Sequence, residues 1–175
     1  MRALRPVMLF AFATLAQPLS AALPVGARAP DFQTTGAVGG RAFKLHLKDQ
    51  LKHGPLVLYF YPKAFTQGCT LEAKAFADAI PEFRKAGARV VGMSADNLDT
   101  LKRFSTEACR NKFPVATASP ETIKAYDVVL KQKPELADRT SYVIDRKGRI
   151  VMVHSDLDWK DHVAKTLAAV RTLKN

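Results

Sequence analysis

The stretch VLYFYPKAFTQGCTLEAKAF, residues 57–76, decides the fold because it joins a buried strand to a helix. Residues 56–61 (LVLYFY) are continuously apolar and rich in aromatic side chains, which is typical of a strand buried on both faces. Apolar side chains at helical spacing follow the cysteine as far as Gly87, a natural helix end. Pro81 inside this helix predicts a kink. Cys69 therefore lies where a strand ends and a helix begins.

The rest of the chain continues this pairing of strands with helices. Residues 88–94 (ARVVGMS) predict a second buried strand, residues 97–109 (NLDTLKRFSTEAC) a helix, and residues 141–153 (SYVIDRKGRIVMV) a hairpin. A last helix is expected over roughly residues 159–172. The side chains expected to face inward are Leu71, Ala75, Phe76, Ala79, Ile80 and Phe83, then Leu98, Leu101, Phe104 and Ala108, then Val163, Leu167 and Val170. This pattern predicts an α/β fold with a central mixed β-sheet flanked by helices on both faces.

The first residues of the chain have the pattern of an export signal. Arg2 and Arg5 precede the short apolar run PVMLFAFATLA, and the small residues of LSAAL follow it, an order typical of a secretory signal peptide. We expect residues 1–22 to be removed by cleavage after Ala22, or alternatively after Ala21, and the protein to be exported to a bacterial periplasm. The apolar run is about half of a membrane span, so no stable membrane anchor is expected. An uncleaved anchor helix is the other interpretation.

Length and charge set limits on the remaining chain. Removal of the signal leaves 175 − 22 = 153 residues, so residues 23–175 are expected to form a single domain. The chain has 27 Lys and Arg against 16 Asp and Glu, and two Arg leave with the signal, so the domain carries 25 − 16 = +9. The basic residues are scattered, which predicts a solvated surface and no nucleic-acid partner. Four His and two Cys without close pairs predict no metal site, and no cofactor is expected.

The position of Cys69 favours a charged sulfur. If Thr66 is the N-cap, Cys69 is the third residue of the helix, where free backbone N–H groups and the helix dipole stabilise an anion. A thiolate is such an anion and is the reactive form of cysteine. Pro62 has no N–H, so it can shape the turn and shield the sulfur without adding a competing donor. The alternative is that Cys69 is a small packed hydrophobe and Thr66 only a cap.

These residues match a known family. PKAFTQGC fits the pattern P-x-x-x-T-x-x-C and, with VLYFYP before it and TLEAKAF after it, resembles the active-site segment of peroxiredoxins, most closely the Q or bacterioferritin-comigratory type. The resemblance extends from GARAPDF through VVGMSAD, KFPV and RTSYVID to the last helix. It implies a thioredoxin-like fold and a thiol-dependent peroxidase that reduces hydrogen peroxide and organic hydroperoxides. It also implies a monomer that is recycled by a thioredoxin-like dithiol reductant.

The resemblance implies a role for each residue of this segment. Cys69 would attack the O–O bond of a hydroperoxide and become a sulfenic acid. Thr66 would exchange a hydrogen bond with the peroxide oxygens, and Pro62 would shield the thiolate. Arg139 of RTSYVID matches the family's arginine, which supports the thiolate and polarises the peroxide, and Glu72 would hold that guanidinium in place. Apart from the resemblance, a Glu in the first helical turns also suits the helix dipole.

The sequence departs from the family pattern at two positions. Gln67 replaces the proline that often precedes the glycine, which should loosen the loop. Lys74 stands where many members have the resolving cysteine, so Cys109 is the only thiol in the chain that could resolve the sulfenic acid. Cys109 lies at the edge of an apolar stripe, where a buried inert thiol or a permanent structural disulfide with Cys69 is the alternative.

Two other functions fit an exported chain with two cysteines. The first is a disulfide carrier on a thioredoxin-like fold, although such carriers use Cys-x-x-Cys and the third residue after Cys69 is Glu72. The second is a non-catalytic domain stabilised by a disulfide, for which the sequence offers no ligand signature. Loss of one peroxide per reduced protein would support only the peroxidase.

Overall fold

The computed structural model describes residues 22–173 and contains a single sheet with helices on both faces. The predicted signal peptide lies outside the described residues, except for Ala22. The strands are β1 (Gln33–Val38), β2 (Arg41–His46), β3 (Leu56–Phe60), β4 (Arg89–Ser94), β5 (Val115–Thr117), β6 (Thr140–Ile144) and β7 (Ile150–Ser155). The helices are α1 (Leu47–Leu51), α2 (Gln67–Lys85), α3 (Leu98–Glu107), α4 (Pro120–Ala125) and α5 (His162–Thr172).

The sheet is mixed, with the strand order β2-β1-β5-β4-β3-β6-β7. Strand β4 pairs in parallel with both β3 and β5, whereas β1–β2, β1–β5, β3–β6 and β6–β7 are antiparallel. The predicted hairpin around RKG is the β6–β7 pair. Strand β3 lies between β4 and β6, and all five of its side chains are buried, as the continuous apolar run predicted. The site residues that follow β3 therefore start from the middle of the sheet.

The two faces of the sheet support two separate cores, and β3 contributes to both. Val57, Tyr59 and Tyr61 belong to the first core, which α2, α3 and α5 cover. Leu56, Leu58 and Phe60 belong to the second core, which α1 and α4 cover. Successive side chains of a strand point to opposite faces, so this division follows from the period of two. None of the helices within residues 22–173 is long and apolar enough to span a membrane.

Helix α2 runs through Pro81, but its buried face differs from the prediction. Its buried residues are Cys69, Glu72, Ala73, Phe76, Ala77, Ile80 and Phe83. Leu71, expected inside, is 39% exposed. The series that starts at Cys69 follows the i, i+3, i+4 spacing, and Leu71 lies on the opposite side of that helix. The prediction was wrong for Leu71, whereas Phe76, Ile80 and Phe83 are buried as predicted.

Helix α5 also differs in its start and its face. It begins at His162, later than the expected residue 159, and its buried residues are His162, Thr166 and Val170. Val163 and Leu167 are only partly buried, although they do pack against the first core. Spacings of four residues along a helix fall on one face, so the buried stripe includes a histidine and a threonine that hydrophobicity alone does not select.

Candidate active site

Cys69 lies in the first turn of α2 with its side chain in the first core. Thr66 has extended backbone angles and is the N-cap, so Cys69 is the third helical residue, as expected. The Thr66 carbonyl accepts the first helical hydrogen bond, from the N–H of Thr70 (2.9 Å). Only 2% of Cys69 is exposed. The sulfur thus belongs to the first turn of a helix, where the N–H groups have no partner inside the helix, and it lies in a place that water barely reaches.

The hydroxyl of Thr66 does not cap the helix. It donates a hydrogen bond to the carbonyl oxygen of Lys63 (3.0 Å), and the residue is exposed. Because its hydrogen is committed to Lys63, the hydroxyl oxygen keeps its lone pairs for an incoming O–H group. The cap interpretation of Thr66 therefore holds for its backbone only, and the side chain is left for another partner. Pro62, at the start of the same loop, is half-buried.

An acidic residue after β4 holds this loop in place. One carboxylate oxygen of Asp96 accepts hydrogen bonds from the backbone N–H of Ala64 (2.7 Å) and from the hydroxyl of Ser94 (2.8 Å). The backbone of Asp96 is fixed in turn, because its carbonyl accepts from the hydroxyl of Thr117 (3.1 Å). Three neighbouring strands thus meet at the loop. The sequence did not reveal this support, since an Asp after a strand is common.

Arg139 connects Cys69 to Glu72. The residue lies immediately before β6, is almost fully buried, and directs each guanidinium nitrogen at a different acceptor. Nη2 donates to the sulfur of Cys69 (3.4 Å), Nη1 forms an ion pair with Oε2 of Glu72, and Nε donates to the carbonyl of Leu157 (2.9 Å). Of the five residues that the resemblance singled out, Cys69, Glu72 and Arg139 are therefore in direct contact.

Burial and charge oppose each other in this cluster. Burial disfavours the charge of Arg139, yet Glu72 and Cys69 together raise the pKa of its guanidinium. For Glu72 the balance is reversed: burial raises the pKa of its carboxyl to about 8, although Arg139 acts to lower it. The carboxyl is completely buried, so the loss of hydration raises its pKa by more than the charge of Arg139 lowers it. Glu72 thus binds a proton more readily than an ordinary carboxylate.

A histidine behind Glu72 completes the buried cluster. Nδ1 of His162 lies 3.8 Å from Oε1 of Glu72 and 2.8 Å from the hydroxyl of Ser141. Nε2 is 2.9 Å from the carbonyl of Asp156, and a carbonyl only accepts, so Nε2 carries the hydrogen and Nδ1 presents a lone pair. Burial lowers the pKa of His162 to about 4. Sequence reasoning missed His162, and its place in the buried stripe of α5 was the available signal.

Gly68 gives the guanidinium its space. A Cβ atom at this position would lie 3.2 Å from Nη2 of Arg139 and 3.8 Å from Cδ1 of Trp159. Phe65, in the loop before α2, and Leu157, whose carbonyl accepts from Arg139, both have exposed side chains. We refer to Phe65, Leu157 and Trp159 as the apolar rim.

Phe65 links the loop before α2 to helix α3. Its backbone is in the left-handed region (φ 65°), and its ring packs edge-on against Phe104 with centroids 5.2 Å apart. The guanidinium of Arg103 lies 5.1 Å from the centre of the Phe65 ring. A left-handed conformation costs a bulky residue on the order of 1 kcal/mol or more, so these contacts hold the loop in a strained form.

Cys109 lies two residues beyond the end of α3 and is completely buried in the first core. Its N–H donates to the carbonyl of Phe104 (3.1 Å), and burial raises the pKa of its thiol. Both cysteines are free thiols. They share the surroundings of Tyr59, whose pKa is raised first by burial and further by the two sulfurs. The predicted partner is thus in the same core as Cys69 but is not joined to it.

Comparison with known proteins gives the family. Residues 25–153 match the model described as the AhpC/TSA family. The chloroplastic peroxiredoxin Q of Triticum aestivum is 32% identical over 191 residues, covering 98% of this chain and 87% of the relative. That of Sedum lineare is 36% identical over 129 residues, covering 71% and 68%. The chain is a peroxiredoxin of the AhpC/TSA family.

The structural comparison agrees with this. The crystal structure of peroxidoxin BcpB from Mycobacterium tuberculosis matches this peroxiredoxin with a TM-score of 0.77 and 30% identity, covering 86% of this chain and 98% of that chain. The predicted thioredoxin-like fold and the predicted family are both confirmed. The peroxiredoxin is accordingly a thiol peroxidase. Within residues 22–173 it has no group of three or more His, Cys, Asp or Glu side chains that could hold a metal ion.

Proposed function

We propose that this peroxiredoxin reduces hydrogen peroxide and organic hydroperoxides through a sulfenic acid on Cys69. The observation that carries the proposal is the hydrogen bond from Arg139 Nη2 to the Cys69 sulfur (3.4 Å) at the start of a helix. A cation and a helix N-terminus both favour the thiolate, which is the nucleophile. The hydroxyl of Thr66 completes the site, because its oxygen is free to accept the O–H of the peroxide.

The reaction is a displacement at oxygen. The Cys69 thiolate attacks one peroxide oxygen, the S–O bond forms as the O–O bond breaks, and the other oxygen leaves with a negative charge that one proton neutralises. The guanidinium of Arg139 and the N–H groups of the helix start stabilise that charge as it moves from sulfur to oxygen. Pro62 is proposed to keep water from the sulfur, since it adds no N–H that would compete for it. No cofactor takes part in these steps.

We further propose that Cys109 resolves the sulfenic acid by forming an intrachain disulfide with Cys69. A disulfide needs Cα atoms about 4.4 to 6.8 Å apart, and a buried thiol must become accessible first, so the segments that carry the cysteines have to move. Strain supports such a movement at Cys109: Arg110 and Asn111, which follow it, both have left-handed backbones (φ 52° and 60°). Local unfolding of this segment releases that strain.

A titration of reduced protein with hydrogen peroxide tests these proposals together. Intact-mass spectra before and after one equivalent, with and without alkylation, should show one peroxide consumed and a product with both thiols blocked. Cys69→Ser should consume none, and Cys109→Ser should consume one but stop at a sulfenic acid that over-oxidises readily.

The role of Cys109 has its own decisive outcome. If Cys109→Ser turns over at the normal rate with a thioredoxin-like dithiol protein, Cys109 is an inert thiol and resolution is external. If the two cysteines of the protein as isolated form a bridge that one equivalent of dithiol leaves intact, the disulfide is structural. The reductant that we propose is a thioredoxin-like dithiol, and the variant should prefer small thiols.

The competing functions have less support. A disulfide carrier would need a second cysteine three residues after Cys69, and that position is the buried, ion-paired Glu72. A carrier or a passive domain would leave the peroxide in the titration unchanged. The two therefore fail together if one peroxide disappears per Cys69.

We propose that the protein is exported to the periplasm and works there as a monomer. The order of charged, apolar and small residues before Ala22 supports export. In the structure Ala22 is buried in the second core, and the N–H of Leu23 donates to the hydroxyl of Tyr142 (3.1 Å). Burial of Ala22 gives weight to the alternative cleavage after Ala21. The N-terminal mass of the secreted protein decides between the two bonds, and sedimentation of that material reports the oligomeric state.

A further inference from the structure

One oxygen of Glu72 has no partner in a completely buried place. Oε2 pairs with Arg139, but Oε1 has no hydrogen-bond partner among the described residues. Nδ1 of His162 lies 3.8 Å away, beyond hydrogen-bond distance, and its lone pair already accepts the hydroxyl hydrogen of Ser141 (2.8 Å). A buried carboxylate oxygen without a donor is costly, and protonation lowers that cost because it removes the charge.

The charges around Glu72 also favour a protonated carboxyl group. Arg139 is the cation in contact with it, and the Cys69 sulfur takes another N–H of the same guanidinium. Two anions and one cation would leave a net buried charge, which is costly. The other titratable groups facing the cluster do not balance it: burial keeps Tyr59 and His162 neutral by raising the pKa of the phenol and lowering that of the imidazole.

Charged groups farther from Glu72 do not balance the charge of the cluster either. Asp158 senses Arg139 but is exposed and paired with Lys160 (3.2 Å), so water and a lysine compensate it. His154 packs its ring on His162 with centroids 4.5 Å apart, and burial lowers its pKa as well. Arg139 can therefore neutralise one buried anion at a time.

We propose that Glu72 holds a proton while Cys69 is a thiolate and releases it when Cys69 is oxidised, so that Arg139 exchanges one counter-ion for the other. The inference rests on the proposed peroxidase reaction. The thiolate and the hydroperoxide give a sulfenic acid and an alkoxide or hydroxide, and this anion takes up one proton. Glu72 releases one proton, which equals the proton that the alkoxide or hydroxide takes up. The Glu72 carboxylate that remains is paired with Arg139. Atoms and charge balance without a proton from the buffer.

Proton uptake during a single oxidation tests the proposal. Reduced protein in weak buffer near pH 7 receives one equivalent of hydrogen peroxide, and a pH indicator records protons while the peroxide is assayed separately. The thiolate absorbance of the reduced protein, referenced to Cys69→Ser, is measured first to show that Cys69 is charged. We expect wild type to take up no net proton and Glu72→Gln to take up one per Cys69 oxidised. Glu82→Gln, an exposed acid of α2 paired with Arg171, should behave as wild type.

A second measurement needs no variant at Glu72. Infrared difference spectra of wild type should show the C=O stretch of a protonated carboxylic acid in the reduced form and its loss on oxidation. If the reduced protein lacks this band, or if wild type takes up one proton per peroxide as Glu72→Gln does, the proposal is overturned. If no peroxide is consumed at all, the peroxidase proposal fails instead, and the two failures are distinct.

Discussion

At the scale of single residues, Gly68 controls the position of Arg139. Its missing side chain leaves the space that the guanidinium occupies, since a Cβ atom would approach Nη2 to 3.2 Å. Nη2 is the nitrogen that donates to Cys69. A side chain at residue 68 therefore acts directly on the guanidinium that donates to the sulfur.

Gly68→Ala should separate activity from stability. Alanine favours a helix over glycine by at most about 1 kcal/mol, and this gain offsets the cost of moving the buried guanidinium, so the free energy of unfolding should change little. The displaced guanidinium should slow peroxide reduction roughly 10- to 100-fold, because small misplacements of a catalytic group are costly. Stopped-flow peroxide kinetics and urea unfolding measure the two effects. Lys74→Ala, an exposed position on the same helix, is the control, and an unchanged rate in Gly68→Ala would contradict the role given to this contact.

Thr66→Val should remove the acceptor for the peroxide while keeping the shape of the side chain. We expect a loss in rate on the order of 10² to 10³, the usual cost of one hydrogen bond to the reacting atoms. Cys69 should still be alkylated, because its environment keeps Arg139. Thr66→Ser retains the hydroxyl and should keep most of the rate. Equal rates for Val and Ser would show that the hydroxyl takes no part.

The residues near Cys69 along the chain could be predicted, and the supporting residues could not. Cys69, Thr66 and Glu72 lie in one local pattern, and Arg139 followed from the family resemblance. Asp96 and His162 reach the site only through tertiary packing, from the end of β4 and the start of α5. Nothing local distinguishes them from other polar residues at the end of a strand or the start of a helix.

At the scale of elements, the start of α2 and the end of α3 are held together by one aromatic contact. Phe65 packs edge-on against Phe104, and the carbonyl of Phe104 accepts the N–H of Cys109. The two segments that must open for a disulfide are therefore joined through Phe104. Opening of one segment weakens the other.

Phe65→Ala should make both segments open more often. An aromatic pair contributes about 0.5 to 1.5 kcal/mol beyond area burial, so amide exchange should rise roughly threefold to tenfold in residues 67–72 and 105–110. Formation of the Cys69–Cys109 disulfide after peroxide should accelerate by a similar factor. Hydrogen exchange of the reduced protein and quenched alkylation give the two rates. Val129→Ala, also exposed and apolar, is the control. Unchanged exchange at residues 105–110 would argue against coupling.

The error in the face of α2 shows what element-level prediction lacks. The pattern contains Leu at position 71 and Glu at position 72, and hydrophobicity places the Leu inside. The structure buries the Glu because Arg139, 67 positions away in the sequence, supplies a hydrogen-bond donor to its carboxyl group. A distant partner of this kind reverses the usual preference, and periodicity within one helix does not contain it.

At the scale of the whole molecule, the central sheet was predictable and its edge was not. Apolar runs in the sequence predict the buried strands β3 and β4 and the β6–β7 hairpin. Strands β1 and β2 form a hairpin at Gly39 and Gly40, and β1 pairs with the three-residue β5. Their sequences QTTGAV and RAFKLH have few large apolar residues, since much of the edge faces solvent. The weak pattern follows from that exposure.

His162 should make global stability depend on acid. Its folded pKa of about 4 lies below the ordinary 6.5, so its contribution is complete above about pH 6.5 and is lost as pH falls toward 4. Glu72 acts in the opposite sense: with a folded pKa of about 8, above 4.5, its contribution is present at low pH and is lost as pH rises through 8.

His162→Gln isolates the histidine from the other groups. When the pH falls from about 7 to 5, protonation of His162 in the unfolded chain lowers the free energy of unfolding of wild type by about 2 kcal/mol. The decrease in His162→Gln should be smaller by that amount. Urea unfolding at both pH values measures the difference, and His53→Gln, an exposed histidine, serves as the control. Identical pH dependence in wild type and His162→Gln would mean that the imidazole is not kept neutral by the fold.

The apolar rim and the buried charges come from separate side chains. Phe65 and Trp159 contribute no group to the hydrogen bonds of Arg139, and Leu157 contributes only a backbone carbonyl that any residue supplies. Replacement of rim side chains therefore alters the surface next to Arg139 while its hydrogen bonds to Cys69 and Glu72 remain the same. Such a division suits both evolutionary divergence and enzyme engineering. Libraries randomised at Leu157 and Trp159 are the natural place to search for altered hydroperoxide preference without loss of peroxidase activity.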